Sequence, residues 1–121
     1  MTISEEQRGK IGILRIAGSF TGRSCVTMFE QAIFNLLKQE IICIVLDMSQ
    51  LKSIDSSGLG AMISAMVSVG RREGALKLAA LEGNINRVVK SMHLDQVFEV
   101  HRTVEEAEAS FLKSGGNRTT A

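Results

Sequence analysis

Two periodicities alternate along this chain and divide it into the strands and helices of one α/β domain. The first stretch alternates residue by residue, with Ile3, Glu5 and Gln7 leading to Gly9-Lys10, then Ile11, Ile13 and Ile16. Gly9 can take the positive φ of a two-residue turn, so the segment predicts a β-hairpin. Gly18-Ser19-Phe20-Thr21-Gly22 is a turn-rich break. Beyond it Val26, Phe29, Ile33, Leu36 and Leu37 recur at three- and four-residue steps, one face of a helix that Ser24 or Thr21 can cap. The run from Ile41 to Leu46 is unbroken and rich in β-branched residues, the pattern of a central strand covered on both faces. Met48 to Ile54 reads as a long loop. A helical stripe returns at Leu59, Met62, Ile63, Met66 and Val67 and ends near Gly70-Arg71-Arg72, where basic side chains suit the negative end of the helix dipole.

Gly74 then turns the chain into a strand from Ala75 to Leu81. Asn84 can cap a short helix carrying Ile85, Val88, Val89 and Met92 inward, and Val97 to Val100 predicts a last short strand. Thr103-Val104-Glu105-Glu106 has the spacing of a capping box and opens a final helix with Val104, Ala107 and Phe111 on one side. Strands alternating with helices predict a mixed sheet: the N-terminal hairpin plus parallel strands with right-handed crossovers, and about four helices packed on it. A single domain is expected over residues 1–113. The polar, glycine-containing stretch 114–121 is expected to be a disordered tail.

Composition narrows the function. At 121 residues and 45% hydrophobic, the chain can build one core without disulfides or metals. The net charge is +1 with the signs interspersed, and aromatic content is 4% with no Trp or Tyr. A nucleic-acid binder would need a basic field and stacking platforms, so direct DNA or RNA binding is not expected. Cys25 and Cys43 follow no ligand spacing and are expected to be structural, so neither a metal nor a cofactor is predicted. Residues 1–6 lack the basic start and apolar stretch of a signal peptide, and no run approaches the roughly 20 apolar residues of a membrane span. A cytoplasmic protein is expected.

The chemistry concentrates in Asp55-Ser56-Ser57-Gly58-Leu59-Gly60, delivered to the start of the second helix. In open α/β sheets, functional groups gather at the carboxyl ends of strands. Asp55 or Ser56 can cap the first N–H groups there. Gly58 and Gly60 let another backbone approach, and two poor helix formers in a first turn are costly for a purely structural sequence. Capping alone is the competing explanation, since Asp-Ser-Ser before an apolar-periodic stretch is a good helix start. A serine hydrolase is disfavoured, because the motif is no Gly-x-Ser-x-Gly elbow and only His93 and His101 are available as bases. Nor does Gly58-Leu59-Gly60 complete a dinucleotide-binding fingerprint, since Ile63 holds the third glycine's place. Met62 and Met66 read mainly as core, with Met62 able to border a surface at the exposed first turn.

The segment resembles the signature of STAS domains, whose anti-sigma-factor antagonist members carry Asp-Ser-Ser-Gly-Leu-Gly at this strand-to-helix junction. The likeness extends through Val45-Leu46-Asp47, the Gly74 turn before Leu76-Lys77-Leu78, Leu94-Asp95-Gln96-Val97-Phe98 and Thr103-Val104-Glu105-Glu106-Ala107, over roughly residues 8 to 112. The resemblance implies a bacterial, non-enzymatic regulator in which Ser57, the second serine, is the phosphate acceptor. Unphosphorylated, such an antagonist binds an anti-sigma factor that is also a serine kinase; phosphorylation releases it and a serine phosphatase resets it. The implied partner surface is Asp55, Ser56, Ser57, Gly58, Leu59, Gly60 and Met62, with Thr21 nearby. Other family members are the cytoplasmic parts of anion transporters, or scaffold components of signalling assemblies or lipid-transport complexes. One departure stands out: where antagonists commonly have Gly-Glu-Leu-Asp after the hairpin, this chain has Gly18-Ser19-Phe20-Thr21, so both acids are missing. The hairpin's outer edge could also self-associate, and no oligomeric state follows from the sequence.

Overall fold

A computed structural model describes residues 1–120, with side chains for residues 1–113. The expected tail over 114–121 lies outside the residues whose side chains are described. The elements run β1 (Thr2–Arg8), β2 (Ile11–Phe20), α1 (Gly22–Lys38), β3 (Cys43–Ile54), α2 (Ser56–Arg71), β4 (Ala75–Ala79), α3 (Gly83–Ser91), a short 3-10 turn (Leu94–Gln96), β5 (Val100–His101) and α4 (Val104–Thr120). They form one five-stranded sheet in the order β1-β2-β3-β4-β5. β1 is antiparallel to β2 across the Gly9 turn, where φ is 62°, and every other pairing is parallel. The mixed sheet and its helices are those the periodicities predict.

Both faces are covered, which is why the runs at Ile11–Leu14 and Ile44–Leu46 are apolar throughout rather than alternating. On one face Leu14, Ile16, Ile44, Leu46, Leu76 and Leu78 meet the inward stripes of α1, α2 and α3. On the other, Ile11, Ile13, Val45 and Ala79 pack against Val104, Ala107 and Phe111 of α4. Fully buried side chains such as Ile44 and Leu46 stabilise by about 1.5–3 kcal/mol each relative to exposure. The capping box opens α4 as predicted, the Glu106 N–H donating to Thr103 Oγ1 at 3.0 Å.

Besides β4, which ends at Ala79 rather than Leu81 because Ala80 turns with φ 60°, three boundaries differ from the sequence reading. The segment Met48 to Ile54 is not a loop: β3 continues through it, and β2 likewise continues through the Gly18–Phe20 break. The register explains this. Arg15 pairs with Asp47 but Ala17 with Gln50, and Gly18 pairs with Leu51 but Ser19 with Ser53. β3 thus carries two extra residues in two bulges. The inward-facing positions step 44, 46, 48, then 51 and 54, so each bulge replaces a step of two by a step of three. Second, α3 begins at Gly83 with Glu82 as its cap residue, not at Asn84, because the Ile85 N–H already donates to the Glu82 carbonyl. Third, β5 is only Val100–His101. Leu94 and Phe98 are both buried at a helical spacing of four, so the chain between them coils, with the Phe98 N–H donating to the Leu94 carbonyl at 2.8 Å.

Two ionic clusters tie elements together away from the motif. Arg8 at the end of β1 reaches Glu6 at 2.7 Å and Glu108 of α4 at 3.0 Å. Lys77 of β4 is buried under α4, 2.7 Å from Ser110 Oγ, 2.9 Å from Glu99 and 4.2 Å from the centroid of the Phe111 ring. The Lys77 ammonium holds the Glu99 carboxyl below its usual range.

Candidate functional site

The motif sits where the long β3 ends. Asp55 is the N-cap of α2: its backbone is extended, and Oδ1 accepts from the Gly58 N–H at 3.0 Å. Its other oxygen, Oδ2, accepts from the Gly22 N–H at 3.2 Å, the first residue of α1. One carboxylate therefore faces the positive ends of two helices. Neither residue proposed from sequence caps α1 with its side chain: Thr21 occupies the cap position without such a bond. The Asp55 N–H also donates to the Phe20 carbonyl at 3.3 Å, fastening the end of β3 to the end of β2.

Gly58 has a concrete steric role. A Cβ there would lie 2.6 Å from the Phe20 carbonyl oxygen and 2.7 Å from Ile54 Cγ1. The backbone whose approach it permits is that of Phe20, in this same chain. Leu59 and Met62 are buried as well, Met62 completely, and both belong to the core beneath α2. Met62 therefore offers no border to the surface. What the fold brings together at the surface is Thr21, the half-buried Asp55, and Ser56, Ser57 and Gly60; a Cβ at Gly60 would meet nothing within 4 Å.

Ser57 is exposed at the second position of α2 and lines a shallow depression with Arg23, Val26, Thr27 and Glu30 of α1. The sequence reading placed none of these α1 residues at the site. Arg23 and Glu30 are two helical turns apart, but only the pairing of α1 with α2 makes that spacing meaningful. Glu30 also lines the neighbouring apolar groove between the two helices, formed largely by Ile33, Phe34, Leu37, Ala61 and Ala65. Phe34 is 59% exposed on its rim.

Behind the site, Asp47 stabilises the first bulge. Its Oδ1 accepts from the Ser49 N–H at 3.0 Å and its Oδ2 from Arg15 Nε at 2.8 Å. Burial raises the Asp47 carboxyl, but the Ser49 N–H and the Arg15 guanidinium outweigh it and hold it below the usual carboxylate range. Ser53 and Ser19, opposite one another near the second bulge, share a hydroxyl hydrogen bond of 2.8 Å.

The remaining candidates are structural in place. His93 holds a left-handed turn (φ 57°), and His101 pairs with Glu99 at the strand exit. Cys25 and Cys43 are half-buried and unlinked, Cys25 Sγ lying 3.4 Å from the Ser19 carbonyl. Among the described residues no group of three or more His, Cys, Asp or Glu is placed to hold a metal, and no helix is long and apolar enough to cross a membrane.

Known proteins share this fold. An anti-sigma factor antagonist of Mycobacterium paratuberculosis superposes with a TM-score of 0.80 at 20% identity, over 90% of this chain and 92% of that one. The Bacillus cell fate determinant SpoIIAA, in its phosphorylated form, gives 0.70 at 20% identity over 91% of this chain and 99% of that one. A Thermotoga neapolitana protein named as an anti-sigma factor antagonist, a homolog of TM1081, is 31% identical over 64 residues, 53% of this chain. The match spans 57% of that relative's length. The model of the STAS domain matches residues 2–107, and the chain belongs to the STAS domain family.

Proposed function

We propose that this chain is an anti-sigma factor antagonist that works by partner switching. Unphosphorylated, the exposed start of α2 with Thr21 beside it binds an anti-sigma factor that is also a serine kinase. The kinase transfers a phosphoryl group to Ser57 Oγ and the complex separates; a serine phosphatase restores the binding form. The chain acts by binding rather than catalysis, in the cytoplasm.

The observation that carries this reading is the exposed Ser57 hydroxyl on a helix start fixed to its neighbour through Asp55. Such a surface can accept a modifying enzyme and a flat partner without unfolding. Relatives named as anti-sigma factor antagonists add to its support, among them SpoIIAA, which is known in both an unphosphorylated and a phosphorylated form. The energetics are sufficient. A serine phosphate adds about −1.5 to −2 charges at neutral pH. A thousand-fold loss of affinity needs about 4 kcal/mol. An uncompensated buried charge costs about 3–5 kcal/mol, so no large conformational change is required. Thr21 in place of an acid gives the kinase a different local charge to recognise.

Co-purification from the native host with phosphosite mapping tests partner and modification together. The expected result is a kinase-like anti-sigma factor as partner and phosphate on Ser57. A transporter ATPase as partner, or phosphate on Ser56 or on neither serine, overturns the proposal.

A further inference from the structure

The depression beside Ser57 has an asymmetric charge pattern. Arg23 lies at one end and Glu30 at the other, on one face of α1, with Val26 and Thr27 between them. Arg23 makes no ion pair among the described residues. Asp55, two residues before Ser57, already places its two carboxylate oxygens on the Gly22 and Gly58 N–H groups. The positive ends of both helices are therefore matched by an anion before any modification occurs. A phosphate on Ser57 would meet two carboxylates, Asp55 and Glu30, and one cation with no earlier partner.

We propose that Arg23 is the intramolecular counter-ion of a phosphate on Ser57, closing an ion pair across the α1–α2 depression in the modified protein. This rests on the reading of Ser57 as the acceptor and names the residue that responds to it. A guanidinium suits the task, since its planar fork can donate two parallel hydrogen bonds to phosphate oxygens. Thr27 lines the same depression, and a hydroxyl turned toward the phosphate can donate a third. The pair holds the phosphate against α1 and covers the depression, so a partner meets a bulky, net negative surface instead of a bare hydroxyl. Glu30, in the depression, and Asp55, two residues before Ser57, oppose the phosphate and keep that surface acidic even with the pair closed.

The test installs phosphoserine at position 57 during synthesis and follows its second ionisation by phosphorus NMR. That ionisation, about 6 for an unperturbed phosphoserine, is expected to lie about half a unit lower in the parent protein than in Arg23→Gln, the size of an exposed charge pair. Arg23→Gln should remove that lowering, Arg23→Lys should restore part of it, and Glu30→Gln should bring the ionisation lower still by removing a repulsion. Arg23 and Glu30 are exposed, so circular dichroism should show all variants folded. The same phosphate ionisation in the parent and in Arg23→Gln overturns the proposal. A kinase that fails to modify Ser57 would sink the switching function instead and leave this result standing, because the phosphate is introduced without it.

Discussion

Asp55 and Gly22 meet across 33 positions of sequence: the Gly22 N–H donates to Asp55 Oδ2 at 3.2 Å, while Oδ1 serves the helix that Asp55 itself begins. One side chain thus starts two helices, and the modifiable serine stands two residues beyond it. The surface offered to a partner is consequently a single rigid corner rather than two independent loops.

Removing that carboxylate should be felt at both helices. Losing an N-cap costs about 0.5–2 kcal/mol, and a second hydrogen bond to a charged group adds about 1–2 kcal/mol. Asp55→Ala is expected to lower the unfolding free energy by about 2–3 kcal/mol in urea titrations. Asp55→Asn, an equally good cap, should keep more than half of the difference. A loss below about 0.5 kcal/mol in the alanine variant would show that the bridge does not stabilise the fold.

The two glycines of the motif should respond in opposite directions. At Gly58 a Cβ collides with the Phe20 carbonyl oxygen, a backbone atom that cannot move aside cheaply. Gly58→Ala should therefore destabilise by about 1–3 kcal/mol despite alanine's better helix propensity. At Gly60 the added methyl meets open space, so Gly60→Ala should stabilise by about 0.5–1 kcal/mol. Thermal unfolding of the two variants side by side checks the contrast. Weaker partner binding by the stabilised Gly60→Ala would place Gly60 in the interface.

Ser57 is exposed, so Ser57→Ala should stay within about 0.5 kcal/mol of the parent in stability. It should bind the co-purified partner as tightly as the parent and accept no phosphate. Ser57→Asp should bind at least ~10-fold more weakly, a difference of about 1.4 kcal/mol readable by calorimetry. Equal affinity of the aspartate and alanine variants would remove charge at this position as the basis of release.

Asp47 makes acid stability testable. Its carboxyl is held below the ordinary range in the folded protein, so the unfolded chain binds the proton more readily. The resulting stabilisation is complete above the unfolded value of about 4 and is lost as pH falls through the folded one. Glu99 is shifted in the same direction, so the comparison must isolate Asp47. Unfolding of Asp47→Asn between about pH 6 and pH 2 should show a shallower pH dependence than the parent. Parallel curves would mean that Arg15 and Ser49 do not hold the carboxylate.

Much of this molecule was legible from its sequence because periodicity and burial agree. The stripe of α1 and the continuous run at Ile44–Leu46 face cores the pattern anticipates, whereas α2 buries Leu59 and Met62 with Ala61, Ala65 and Val69 and leaves the expected Ile63 and Val67 exposed. The second half of β3 was not legible, because two bulges break the two-residue repeat and leave a strand looking like a loop. The start of α1 was missed for a different reason: Thr21 holds the cap position without a side-chain bond, and the first N–H of the helix is met by Asp55, which arrives from a distant segment. Arg23 and Lys77 were likewise invisible, since an ordinary surface arginine and a lysine inside a strand acquire meaning only from the helices packed beside them. The motif was found as a helix start; that Gly58 fits against Phe20 depends on which strand lies beneath it.

The unpaired residues of β3 also make the distance from Asp47 to Asp55 a phase setting for the whole corner. A strand side chain reverses direction with each residue, so deleting one position between 48 and 54 would erase a bulge and turn Asp55 away from the Gly22 N–H. Both helices would lose their shared start, and Ser57 would be presented at a different angle. Residue count in this stretch, more than residue identity, is therefore the property a redesign of the surface has to preserve.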